Sequence, residues 1–212
     1  MNKNEQFVIT INRELGSGGR TVGRILAEKL GVPYYDKALI KALEEKFNLS
    51  VEEIEKLKGR SHSWWGEFKH FWLGTDYTNM YMAGQQYDVL NQKLDSFDMF
   101  KAEEKILTEI AETESCIVAG RSSFYAFRNH PNHLNILIQA SMDFRMERVA
   151  KKQNMTEEEA LKTIKKVDEM RENYVKEYTG SSRYDTRNYQ LVISADGKTE
   201  EEIAELILNY IG

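Results

Sequence analysis

Apolar and polar positions along the chain alternate between two rhythms. Short β-branched runs at Phe7 to Ile11, Val32 to Tyr35, Cys116 to Ala119, Leu134 to Ala140 and Leu191 to Ser194 read as buried strands. Between them, apolar residues recur at helical spacing: Val22, Ile25, Leu26 and Leu30, then Leu39 to Phe47, Asp88 to Glu112, Met142 to Gln153, Thr156 to Tyr178, and a last helix reaching about Tyr210. Ser50 with Glu53, Thr156 with Glu159 and Thr199 with Glu202 have the spacing of a capping box. Five strands that alternate with helices predict βαβ units: an α/β chain with a mostly parallel sheet and helices on both faces. Ligands of such sheets sit at the carboxyl ends of the strands.

One segment breaks the rhythm. Residues 59–86 hold all three tryptophans, Trp64, Trp65 and Trp72, together with Phe68, Phe71, Tyr77 and Tyr81. We expect a single domain over 1–212 with this aromatic-rich insert. Trp64, Phe68, Phe71 and Trp72 share helical spacing and are expected to pack on the body or on a second subunit, a route to a homo-oligomer.

Composition narrows the class. The 212 residues are 41% hydrophobic and 30% charged, enough to bury a core. A net charge of -5 disfavours a general nucleic-acid binder. The single cysteine, Cys116, leaves no intrachain disulfide and reads as a buried thiol. No apolar run approaches the roughly 20 residues that cross a bilayer, and the polar start leads into a strand, so no membrane partner and a cytoplasmic location are expected.

Chemistry concentrates after the strands. Gly16-Ser17-Gly18-Gly19-Arg20-Thr21 lies between the first strand and the first helix. Glycines let backbone N–H groups approach a ligand, and a helix start adds unpaired donors and partial positive charge. That combination suits a phosphate, with Arg20 as a fixed charge and the Thr21 hydroxyl in reach of a magnesium ion. Against the pattern G-x-x-x-x-G-K-[ST], Glu14 stands at the first glycine and Arg20 at the lysine. Asp36, after the second strand, can accept hydrogen bonds from a substrate or cap the next helix. Arg121, in Ala119-Gly120-Arg121-Ser122, can grip a second phosphate or serve a structural ion pair. Arg145 and Arg148 lie on one helix, and Lys162, Lys165, Lys166, Asp168 and Arg171 on the next; Asp168 is three residues from Lys165 and from Arg171, so the three can share a face. They form either a solvated face or a closing lid over about 150–185. His130 and His133 flank Pro131-Asn132 and read as surface loop residues, too isolated for zinc.

These residues resemble the nucleoside monophosphate kinases, specifically the cytidylate kinase-like branch. The resemblance rests on Ile11 to Thr21, on Val32-Pro33-Tyr34-Tyr35-Asp36, on Gly120-Arg121, on Arg145 to Arg148, and on Asp168 to Gly180 with Asn188-Tyr189. It implies a P-loop kinase fold with a five-stranded parallel core, in which ATP with magnesium donates a phosphoryl group to a nucleoside monophosphate, by name CMP or dCMP. It implies that Gly16 to Thr21 hold the donor phosphates, that Asp36 and Arg121 face the acceptor, and that Arg145, Arg148, Asp168 and Arg171 belong to the lid side, with Arg20, Arg121, Asp168 and Arg171 at the reacting groups. It also places the monophosphate-binding region in the insert. The chain departs from the family in lacking acids on either side of Gly120-Arg121 and in carrying Ile164 and Lys165 where an Arg-Asp pair is usual. Two other readings stay open: a kinase for another small metabolite, and a nucleotide-binding regulator without catalysis.

Overall fold

The computed structural model describes residues 1–36, 97–120 and 122–212. The expectations for Leu39 to Phe47, Ser50 with Glu53, the 59–86 insert and Arg121 lie outside the described residues. Five strands form one parallel sheet: β1 (Val8–Arg13), β2 (Tyr34–Asp36), β3 (Cys116–Ala119), β4 (His133–Gln139) and β5 (Leu191–Ser194). Their order across the sheet is β2-β3-β1-β4-β5. Among the described residues the α-helices are α1 (Gly19–Leu30), α2 (Phe97–Thr113), α3 (Ser123–Ala126), α4 (Met142–Gln153), α5 (Glu157–Thr179) and α6 (Glu200–Ile211).

The pleat sorts the strand residues onto two faces. Ile9 and Ile11 of β1 and Leu134, Ile136 and Ile138 of β4 pack with Val22, Leu26 and Ala27 of α1 and with Ile203, Ala204 and Ile207 of α6. Leu137 of β4 points the other way, to Phe124, Val175 and Tyr189. A third cluster joins α4 to α5 through Val149, Ala160 and Ile164, with Leu15 of the glycine loop packed against it.

Helix starts differ in kind. Thr156 and Thr199 each close a capping box with the glutamate three residues on, and each helix begins with three glutamates. Such acids complement the positive end of the helix. Helix α1 has neither device: Gly18 precedes it with φ 81°, no side chain caps it, and its first turn holds no acid.

The strands run nearly as predicted, with one shift that matters. β1 continues to Arg13, two residues past the expected end. His133 opens β4 rather than sitting in a surface loop. Its Nε2 lies 2.8 Å from Thr10 Oγ1, which donates to Asn135 Oδ1 at 2.6 Å. Burial, with His130 nearby, pulls the His133 imidazole down to about 4. Cys116 is buried, and its thiol is pushed up to about 12 by burial, which makes it inert at neutral pH.

Candidate active site

The site begins where β1 hands over to α1. In a parallel sheet whose first strand lies between β3 and β4, the crevice opens beyond the carboxyl ends of these strands. The chain turns there through Gly16 at φ 90° and Gly18 at φ 81°, values that glycine adopts without strain. A Cβ on Gly16 would stand 2.9 Å from the Arg145 carbonyl oxygen, so the loop is seated directly on α4.

Buried charges fix the loop from beneath. Asp168 accepts the Leu15 N–H at 3.1 Å and pairs with Arg145 Nη1 at 2.5 Å and with Arg171 Nη1 at 3.4 Å. Arg145 and Asp168 are both buried. Glu14, at the position read as a missing glycine, turns its carboxylate to the Ala140 N–H at 3.0 Å and lies 3.7 Å from Arg145. Ser17 is buried, its hydroxyl donating to the Glu14 carbonyl at 3.0 Å. Arg145 and Asp168 are therefore supports of the loop. Lys165, expected on the Asp168 face, is exposed, as are Lys162 and Lys166; the inward row is Ile164, Val167, Asp168 and Arg171.

Other predicted residues reach the same region. Arg20 turns to Asp36, Nε to Oδ2 at 3.7 Å, which joins the start of α1 to the end of β2. Thr21 is exposed, its N–H bonded to the Gly18 carbonyl. Arg148 pairs with Glu200, whose carboxylate stands close to Gly18. Lys152 lies near Arg20, Arg24 and Arg148; burial and these cations lower its ammonium from the ordinary lysine value.

Sequence reasoning missed two arginines. Arg13, last in β1, continues the alternate row of Ile9 and Ile11 toward α1. Arg183, 3% exposed in the segment after α5, donates through Nη2 to the Arg13 carbonyl at 2.5 Å, while its Nε and Nη1 have no hydrogen-bond partner. Extending the period-two pattern of β1 by one step would have found Arg13; Arg183 carries no comparable signal.

Residues 8–196 match the profile of the cytidylate kinase-like family. The chain belongs to that family. It is a kinase of the P-loop class, with the five-stranded parallel sheet of that fold. A relative is the cytidylate kinase of Sulfolobus acidocaldarius, 25% identical over 96% of this chain and 93% of the relative. Among solved structures, an uncharacterized protein from Eubacterium ventriosum superposes with a TM-score of 0.70 at 24% identity, covering 98% of each chain. A gluconokinase from Sinorhizobium meliloti has a TM-score of 0.52 at 14% identity, covering 97% of this chain and 91% of its own. These two likenesses concern the fold. Among the described residues, no helix is long and apolar enough to cross a membrane.

Proposed function

We propose that this member of the family transfers the γ-phosphoryl group of ATP to a nucleoside monophosphate, CMP or dCMP first among them. The observation that carries the reading is the uncapped, acid-free start of α1 behind two left-handed glycines. Unpaired backbone donors and the positive end of the helix suit an anion there. The relative named as a cytidylate kinase supports the choice of acceptor.

In this reading the loop from Gly16 to Thr21 holds the donor phosphates. Asp36 and Arg121 face the acceptor, with Arg20 bridging the two sides through its contact with Asp36. Segment 150–185 is the lid, and Arg171, partly exposed beside Asp168, is one of its cations on the loop side. Arg148 adds positive potential outside the loop. The acceptor's phosphate oxygen attacks the γ-phosphorus, the bond to the β,γ-bridging oxygen breaks, and that oxygen leaves with the electron pair as part of ADP. A dianionic acceptor needs no general base, so the protein's work is positioning and charge compensation.

Magnesium fits as a companion of ATP. Among the described residues no three His, Cys, Asp or Glu side chains form a cation cage. Thr21, exposed at the start of α1, would supply one oxygen, as suits a hard ion that keeps several waters and is held by phosphates. When bound it would neutralise charge on the phosphate oxygens.

The test is a panel of nucleoside monophosphates with ATP and magnesium, followed by ADP release. Turnover fastest with CMP or dCMP is expected. Absence of turnover with every member, where a control kinase works, refutes the assignment.

A further inference from the structure

Resting on that reading, we propose that Arg13, arriving from the strand side, is the cation that holds the γ-phosphoryl group, with Arg183 as a second buried guanidinium behind it. In the pattern G-x-x-x-x-G-K-[ST], the lysine follows a glycine at the start of the helix. The sequence register put Arg20 at that lysine, but Gly18 is the left-handed residue before α1, so the structure shifts the pattern by one residue and the position after the glycine is Gly19. Gly19 offers no charge, and it has no room for any side chain. A Cβ there would lie 2.7 Å from Arg13 Cβ and 3.2 Å from Arg13 Cγ. The Arg13 stem thus crosses the place where a loop lysine would begin.

The guanidinium continues to the end of β3. A Cβ on Gly120, at φ 78°, would overlap Arg13 Nη1. Two glycines from separate elements, Gly19 and Gly120, therefore make the channel through which Arg13 reaches the crevice. Arg20, one residue beyond Gly19, is turned toward Asp36.

Arg13 has no ion-pair partner among the described residues. The groups facing it are Tyr34 and Asp36 from β2, Arg20 from α1 and Arg183 from the segment after α5. Burial lowers the Arg13 guanidinium from its ordinary value, and Arg20 and Arg183 add to this. Arg183 brings two unpartnered nitrogens to the same spot, and the Ser122 and Ser123 hydroxyls after β3 are buried without partners as well. Guanidiniums without an ion-pair partner among the described residues, with unpartnered donors beside the glycine loop, suit an anion. The terminal phosphate of a nucleoside triphosphate has the charge and oxygen count they require.

The experiment compares binding of ADP with that of AMP-PNP, a hydrolysis-resistant ATP analogue, by calorimetry. The wild type should prefer AMP-PNP. Arg13→Gln should erase that preference, losing about tenfold to a hundredfold for AMP-PNP and little for ADP, the span of one charge-assisted contact. Arg13→Lys should retain part of it. Gly19→Ala, which leaves Arg13 present but displaces it, should fall in the same direction and serves if Arg13→Gln does not melt cooperatively. An unchanged preference in either variant, or an equal loss for both ligands, overturns the role of Arg13. ADP release by the wild type with monophosphates separates the two claims. A wild type that prefers AMP-PNP and transfers nothing refutes the kinase assignment and leaves Arg13 as the γ-phosphate cation.

Discussion

The two ends of the sheet are held by different chemistry. At the amino end the contacts are mostly neutral: Phe7 N–H to Ser115 Oγ at 3.1 Å, Thr10 with His133 and Asn135, and the Asn132 amide donating to the Asn2 and Gln6 carbonyls. At the carboxyl end, Glu14, Arg145, Asp168 and Arg171 form a charged cluster under the loop, and Arg13 and Arg183 lie at the strand ends, Arg183 with two nitrogens unpartnered. A neutral network that is satisfied internally needs nothing more. An end that holds buried guanidinium donors without partners among the described residues runs against that economy, as candidate functional ends do.

Breaking the charged cluster should have the largest effect. Asp168→Ala leaves Arg145 buried without its closest carboxylate and should cost about 3–5 kcal/mol of unfolding free energy, read in urea titration. A loss below about 1 kcal/mol would mean that the pair does not hold the loop. Gly16→Ala comes next. It puts a side chain at φ 90° and 2.9 Å from the Arg145 carbonyl, so about 2 kcal/mol should be lost, with weaker ATP binding.

The neutral end should respond to acid. His133 titrates near 4 in the folded chain, below its ordinary 6.5, so the unfolded chain takes up the proton first. Its contribution to stability is intact above about pH 6.5 and is lost as pH falls toward 4. His133→Gln should flatten the stability profile across that window. A profile as steep as that of the wild type would place the acid sensitivity elsewhere. The smallest effect belongs to the caps: Thr199→Ala should cost about 1 kcal/mol, a shift of about 2–4 °C in melting temperature, and leave nucleotide affinity unchanged.

What the sequence revealed follows the range of each interaction. The capping boxes at Thr156 and Thr199 were legible because donor and acceptor lie three residues apart. So was the contact of Asp168 with Arg171, one helical turn away. The partners of Asp168 across the fold, Leu15 and Arg145, were not, nor was the bond from Ala140 to Glu14, because each depends on how α4, α5 and β4 close around the loop. Glu14 looked like a defect in a glycine motif and is a brace. Arg13 was hidden by ending β1 at Ile11: two residues of extra strand decide which face its side chain takes.

The bare start of α1 has a practical consequence. Beside α5 and α6, which bring their own glutamates, it suits small dianions. Phosphate or sulfate in a storage buffer would occupy it, raise the melting temperature by mass action and compete with nucleotide. Measured stability and affinity should therefore depend on the buffer salt.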